Sequence, residues 1–225
     1  MKLDKMLLIN AGNDDSISGS SNQGIFPALG VLSLGTIVQK YFPGVAVAVI
    51  DGQVVPQEAI IKTVYEEKPD LVGVSVLGAS YQNALRIARA AKEAGAVTIF
   101  GNDHAAVNAE IILRKRPEVD YISGADVGEL AFRRFIEFVM GKKSLAEVPE
   151  LYYRKSNGNI TKNPAAALPA ITRDNRYGVL DAVPIPDWTL YDRTHWDTYL
   201  NRFRDRKSTR LNSSHSAKSR MPSSA

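Results

Sequence analysis

The side chains able to do chemistry gather just past short apolar runs: Asn10 with Asp14 and Asp15, Asp51, Ser75, the Gly101–His104 stretch, and Gly124 with Asp126. Each type suggests a different task. Asp51, at the end of a second apolar run, stands where a dinucleotide fold keeps its ribose-binding acid, although capping a helix or turn is the commoner use of a lone aspartate there. The Asp14–Asp15 pair could approach a cation, or simply be solvated. Ser75 offers one hydroxyl hydrogen and two lone pairs, enough to meet a ligand or a nearby backbone group. His104 could touch a ligand, cap a helix or face solvent.

Several chemistries are excluded. The chain has no cysteine, which removes disulfides, thiolate zinc sites, cysteine nucleophiles and any iron–sulfur cluster on its own thiolates. A phosphate loop is absent, because the first apolar run leads into NAGNDDSIS rather than G-x-G-x-x-G. The third run ends in Ser75-Val76-Leu77, with none of the aspartates a phosphate-accepting receiver would need there. No residue emerges as catalytic and none as a metal ligand.

The elements that must hold these residues follow from periodicity. Apolar, β-branched runs at Met6–Asn10, Val45–Ile50, Asp70–Leu77, Val97–Phe100 and Val119–Ser123 predict five strands. Between them lie helical patterns: the stretch opened by Pro27, Pro56–Glu67, the run from Tyr81 that Gly95 stops, Ala105 to Leu113, and Val127 to Phe138. Continuously apolar strands alternating with helices predict an α/β fold, a flavodoxin-like or Rossmann-like five-stranded parallel sheet covered on both faces. Such sheets bind ligands beyond the carboxyl ends of their strands, which is where the polar residues lie. Leu151–Asn163, around Asn157-Gly158, predicts a hairpin, and the Pro-rich stretch 165–192 reads as a linker.

Residues 205–225 are of another kind. They have no apolar periodicity, and DRKSTRLNSSH resembles the translation of a sequencing-library adapter, so the native part of this sequence is expected to reach only to about Arg204. The tail's five bases against one acid account for the whole formal charge of +4, leaving no electrostatic case for nucleic acid in the rest. The apolar runs are strand-sized, well short of the roughly 18 residues of a membrane helix, and the opening residues lack a secretory pattern. A cytoplasmic protein without a membrane or nucleic-acid partner is expected.

Taken together, DLVGVSVLGASYQNALRIARAAKEAG, VTIFGNDHAA, VDYISG and LDAVPIPDWTLYD resemble the amino-terminal portion of cobalamin-binding radical S-adenosylmethionine enzymes, over nearly all of residues 5–192. Ser75–Leu77 matches that family's S-x-L. Gly101-Asn102 stands at its G-G, and His104-Ala105 echoes the Gly-x-His-Ala form of the radical branch. The D-x-H-x-x-G element is absent, since no histidine precedes His104, and Gly124-Ala125-Asp126-Val127 replaces an acidic G-E-G-E.

The resemblance implies a cobalamin-binding domain over 1–140, a connector over 141–204 toward a radical SAM barrel beyond it, and the tail over 205–225. It implies cobalamin held base-off with no protein histidine on cobalt. Ser75, Leu77, Gly78, Ala79, Ser80, Gly101, Asn102, His104 and Gly124 would contact it, with Gly73, Gly78, Ala79 and Gly101 leaving room for a flat tail base. A [4Fe–4S] cluster on C-x-x-x-C-x-x-C and S-adenosylmethionine would belong to the part beyond Arg204, and this chain by itself would only bind cofactor. The full-length enzyme would be a methylcobalamin-dependent methyltransferase acting on an unreactive carbon. The competing reading is a degenerate flavodoxin-like docking or regulatory module that binds no corrin. A nucleotide- or flavin-binding enzyme of the same topology is weaker, for want of a phosphate loop.

Overall fold

The computed structural model describes residues 2–13, 27–125, 127–165, 183–192 and 194–201. The acids Asp14, Asp15 and Asp126, the middle of the expected linker and the basic tail lie outside them.

Among the described residues seven strands form one sheet in the order β2-β1-β3-β4-β5-β6-β7. β1 (Lys5–Asn10), β2 (Ala46–Asp51), β3 (Leu71–Ser75), β4 (Val97–Gly101) and β5 (Tyr121–Ser123) are parallel, as the strand pattern predicts. The 2-1-3-4-5 core is the flavodoxin-like doubly wound order. β-strand alternation divides β1 between two cores. Leu7 and Ile9 face α2 (Gln57–Glu67), α3 (Tyr81–Glu93) and α5 (Ala109–Lys115), while Met6 and Leu8 face α1 (Leu29–Tyr41) and α6 (Gly128–Val139). On α3 the side chains nearest the sheet include Ala84, Ala88 and Ala91, all fully buried, so the helix can lie close to the strands.

The register sets the working edge. Asp51 pairs with Asn10, Asn10 with Ser75, and Ser75 with Gly101, so four strands end in one row of polar or small residues.

Four features differ from the sequence reading, two for a local reason and two through contacts between distant segments. The third strand stops at Ser75 because Ser80 Oγ accepts from the Leu77 amide and donates to the Leu77 carbonyl, turning the chain into a short 3₁₀ segment, Gly78–Ser80. The fourth helix is broken into α4 (Asp103–Val107) and α5, because Asn108 donates its side-chain amide to the His104 carbonyl at 2.9 Å and competes with the helix ladder.

The hairpin forms as expected, as β6 (Leu151–Arg154) and β7 (Ile160–Lys162) with Gly158 at φ 83°, but it joins the sheet antiparallel to β5 instead of standing apart. β5 has three residues and would otherwise be an exposed edge. Arg154 locks the addition by donating to the carbonyls of Leu113, Arg116 and Val119, each at 2.7 Å, where α5 runs out. Finally, the described end of the expected linker packs on the domain. Trp188–Leu190 form a 3₁₀ turn and 194–201 a helical segment, with Tyr191 and Tyr199 buried against β2 and α1.

Candidate functional site

A cavity of about 420 Å³ opens at the carboxyl ends of β3, β4 and β5. Its side walls are the first turns of α1 and α6. Leu8, Val31, Leu34, Ile99 and Phe132 make much of its lining apolar, and Ser75, Asn102, Asp103 and Glu129 supply polar groups. Asp103 and Glu129 stand in the first turns of their helices, where the partial positive charge of the helix start favours a carboxylate.

Glycines decide the cavity's shape. At Gly30, Gly101 and Gly128, all in its lining, an added Cβ would meet nothing within 4 Å, and none of the three has a positive φ. Neither packing nor backbone geometry demands glycine there, so the missing side chains leave free space inside the cavity. Two other lining glycines serve the fold: a Cβ on Gly73 would come within 2.8 Å of Leu8 Cδ2, and one on Gly124 within 2.9 Å of the Tyr152 ring.

The residues singled out from sequence fall into three groups. Ser75, Gly101, Asn102 and Gly124 line the cavity. Leu77, Gly78 and Ala79 lie on the turn after β3, where Leu77 is 46% exposed, and they lie outside the lining. Ser80 is fully buried and its hydroxyl is used on Leu77, which makes it a local structural residue. His104 is half-buried inside α4, its ring 5.3 Å from that of Tyr81 and beside Gly78. It does not cap that helix. Asn102 does, accepting from the Asp103 amide at 2.7 Å, while its Nδ2 donates to Ser75 Oγ at 3.2 Å.

Asp51 is withdrawn from ligand chemistry. It is fully buried; Oδ1 accepts from Asn10 Nδ2 at 2.9 Å and from the Gln53 amide at 3.0 Å. Oδ2 accepts from the hydroxyls of Tyr191 and Tyr199. The turn-cap role is therefore real, and a ribose has no access. Burial, then the bond to Asp51, holds the Tyr191 hydroxyl well above the usual phenol range, so it remains a donor. Sequence reasoning missed Gly30, Gly128, Glu129 and Phe132. The one signal available was glycine within helical patterns, where it is intrinsically unfavourable.

Among the described residues no group of three or more acidic, histidine or cysteine side chains could hold a metal ion, and no helix is long and apolar enough to cross a membrane. The architecture is that of a ligand-binding α/β domain whose site lies at the carboxyl edge of an open sheet. The chain belongs to the B12 binding domain family: the family's model matches residues 17–134, more than half its length and every cavity-lining position named from sequence.

An uncharacterized methyltransferase of Pyrococcus horikoshii is 25% identical over 197 residues, covering 84% of this chain and 39% of that protein. The structure of the cobalamin-dependent S-adenosylmethionine radical enzyme OxsB with aqua-cobalamin and S-adenosylmethionine bound superposes with a TM-score of 0.60 at 22% identity, over 80% of this chain and 25% of that one. The same enzyme with aqua-cobalamin gives 0.61, also over 80% and 25% at 22% identity. At that identity the likeness establishes the fold. The chain spans about two fifths of the curated relative and a quarter of the structural one.

Proposed function

We propose that this chain binds cobalamin base-off, with the nucleotide tail in the cavity and the corrin over the strand ends. The observation that carries the reading is the set of three lining glycines, Gly30, Gly101 and Gly128, whose Cβ positions are open space. A flat heteroaromatic base needs a slot that is apolar on its faces and polar at one edge; Leu34, Ile99 and Phe132 supply faces, and Ser75 supplies a hydroxyl. Leu77, Gly78, Ala79 and His104 then lie on the rim, within reach of the larger ring. No histidine precedes His104 in the sequence, so this chain brings no imidazole to the metal from the first loop.

Cobalamin so bound supplies a cobalt centre that can carry a methyl group. The chain's own part is to hold the tail, orient the corrin and exclude water from its lower face. Residues 1–140 form the binding unit in this reading, and 141–204 brace it and lead toward a radical S-adenosylmethionine region carrying the [4Fe–4S] cluster. The methyltransferase among its relatives supports methyl transfer as the reaction, and the greater length of both supports a further region beside this one; the acceptor in this reading is an unreactive carbon.

Gly101→Leu tests the placement by filling the slot. In equilibrium dialysis against hydroxocobalamin, retention by the parent and loss by the variant support it; equal retention by both contradicts it.

A further inference from the structure

Asn102 is one of three non-glycine residues with positive φ among those described, at φ 79° and ψ 162°. It is exposed, so no packing demand keeps a side chain there. An asparagine held in a conformation suited to glycine points to a role for the side chain itself.

Its two amide ends do different things. Oδ1 accepts from the Asp103 amide, which fixes the orientation: turned over, the amide would set N–H groups against N–H. Nδ2 therefore faces Ser75 Oγ, at 3.2 Å, and donates to it. A hydroxyl has one hydrogen, and an amide nitrogen cannot accept it. The Ser75 hydrogen is left for some other acceptor, in a residue that lines the cavity.

We propose that Asn102 is a positioning residue that fixes Ser75 as a hydrogen-bond donor into the cavity, and so selects a ligand tail carrying an acceptor ring nitrogen. This rests on the cobalamin reading above, in which Ser75 meets the tail base, and adds to it the residue that fixes the polarity of that contact. The backbone strain at position 102 is the cost of that polarity. A glycine would be relaxed there but would leave the Ser75 hydroxyl free to rotate toward any acceptor.

The test compares aquacobalamin with cobinamide, which has the corrin but no nucleotide tail, on the full chain. Asn102→Gly adopts the observed φ without strain and sacrifices little capping, so its melting temperature should match or exceed the parent's. Its affinity for aquacobalamin should fall about tenfold, the scale of one oriented hydrogen bond. Cobinamide affinity should not change, and in a Ser75→Ala background Asn102→Gly should have no further effect on aquacobalamin. Unchanged aquacobalamin affinity, or an equal loss for cobinamide, overturns the inference while leaving the cobalamin reading intact. A parent chain that binds no aquacobalamin overturns the cobalamin reading itself, and this inference with it.

Discussion

The Tyr199 hydroxyl donates to Asp51 Oδ2 at 2.6 Å, joining residues 148 positions apart in a buried contact that fastens the last described segment to the second strand of the sheet. Tyr191 shares the same oxygen and also accepts from the Ala28 amide at 3.2 Å, just before α1. The Asp187 amide donates to Thr36 at 2.7 Å on that helix. α1 walls the cavity, so the C-terminal segment braces the ligand site from behind.

Removing one hydroxyl from this group should therefore be felt by the whole domain. Tyr199→Phe leaves a buried carboxylate short of a donor, and a loss of about 1–3 kcal/mol is expected. Urea unfolding of the full chain checks it. Tyr191→Phe should cost a similar amount, and the double variant should depart from additivity because both hydroxyls serve one oxygen.

Alkaline stability should carry the signature of Tyr191. Its folded pKa is raised above the ordinary value of 10.0, chiefly by burial. Its contribution is thus fully present below pH 10 and is lost as pH rises from there toward the folded value, because only the unfolded chain ionises in that window. Unfolding free energy should fall by about 1.4 kcal/mol per pH unit above pH 10 on this account. Tyr191→Phe should remove that one-proton slope when melts at pH 9 to 11 are compared.

At the other end of the scale, the Glu147 carboxyl is lowered to about 2, first by Lys143 and then by the Ser144 amide and hydroxyl it accepts from in its capping box. The interaction is present above the usual carboxylate range and is lost as pH falls through about 2. A carboxyl-detected NMR titration should find its midpoint near that value, and Lys143→Ala should raise it.

The glycines should separate by role. Gly73→Ala forces a Cβ against Leu8 in the core and should destabilise by about 1–3 kcal/mol. Gly101→Ala meets nothing and should leave stability within about 0.5 kcal/mol of the parent, or raise it by reducing the freedom of the unfolded chain. Thermal melts of the two apo variants check the contrast.

Much of this architecture is legible in the residues. The five parallel strands follow from short, nearly continuous apolar runs, and Ser75 and Gly101 are found at the cavity because strand ends are where such sheets bind. What the sequence does not display is contact between distant segments. The sequence gives no sign of what Tyr191 and Tyr199 pack on until the fold brings Asp51 beneath them, and the turn-capping role open to Asp51 is seen only when its oxygens are found filled. The hairpin is visible in Asn157-Gly158, but its attachment to β5 depends on Arg154 reaching three carbonyls at the end of α5. Gly30 and Gly124 look alike as letters. One opens a cavity and the other makes room for Tyr152.

The central claim is that this chain holds cobalamin with its tail buried at the carboxyl edge of the sheet. Titration of the full chain with hydroxocobalamin, followed in the visible spectrum, tests it most directly. The account predicts one cofactor retained per chain through gel filtration, with the spectrum shifted to the base-off form. No retention on the order of tens of micromolar, with the circular dichroism of a folded α/β protein intact, would contradict it.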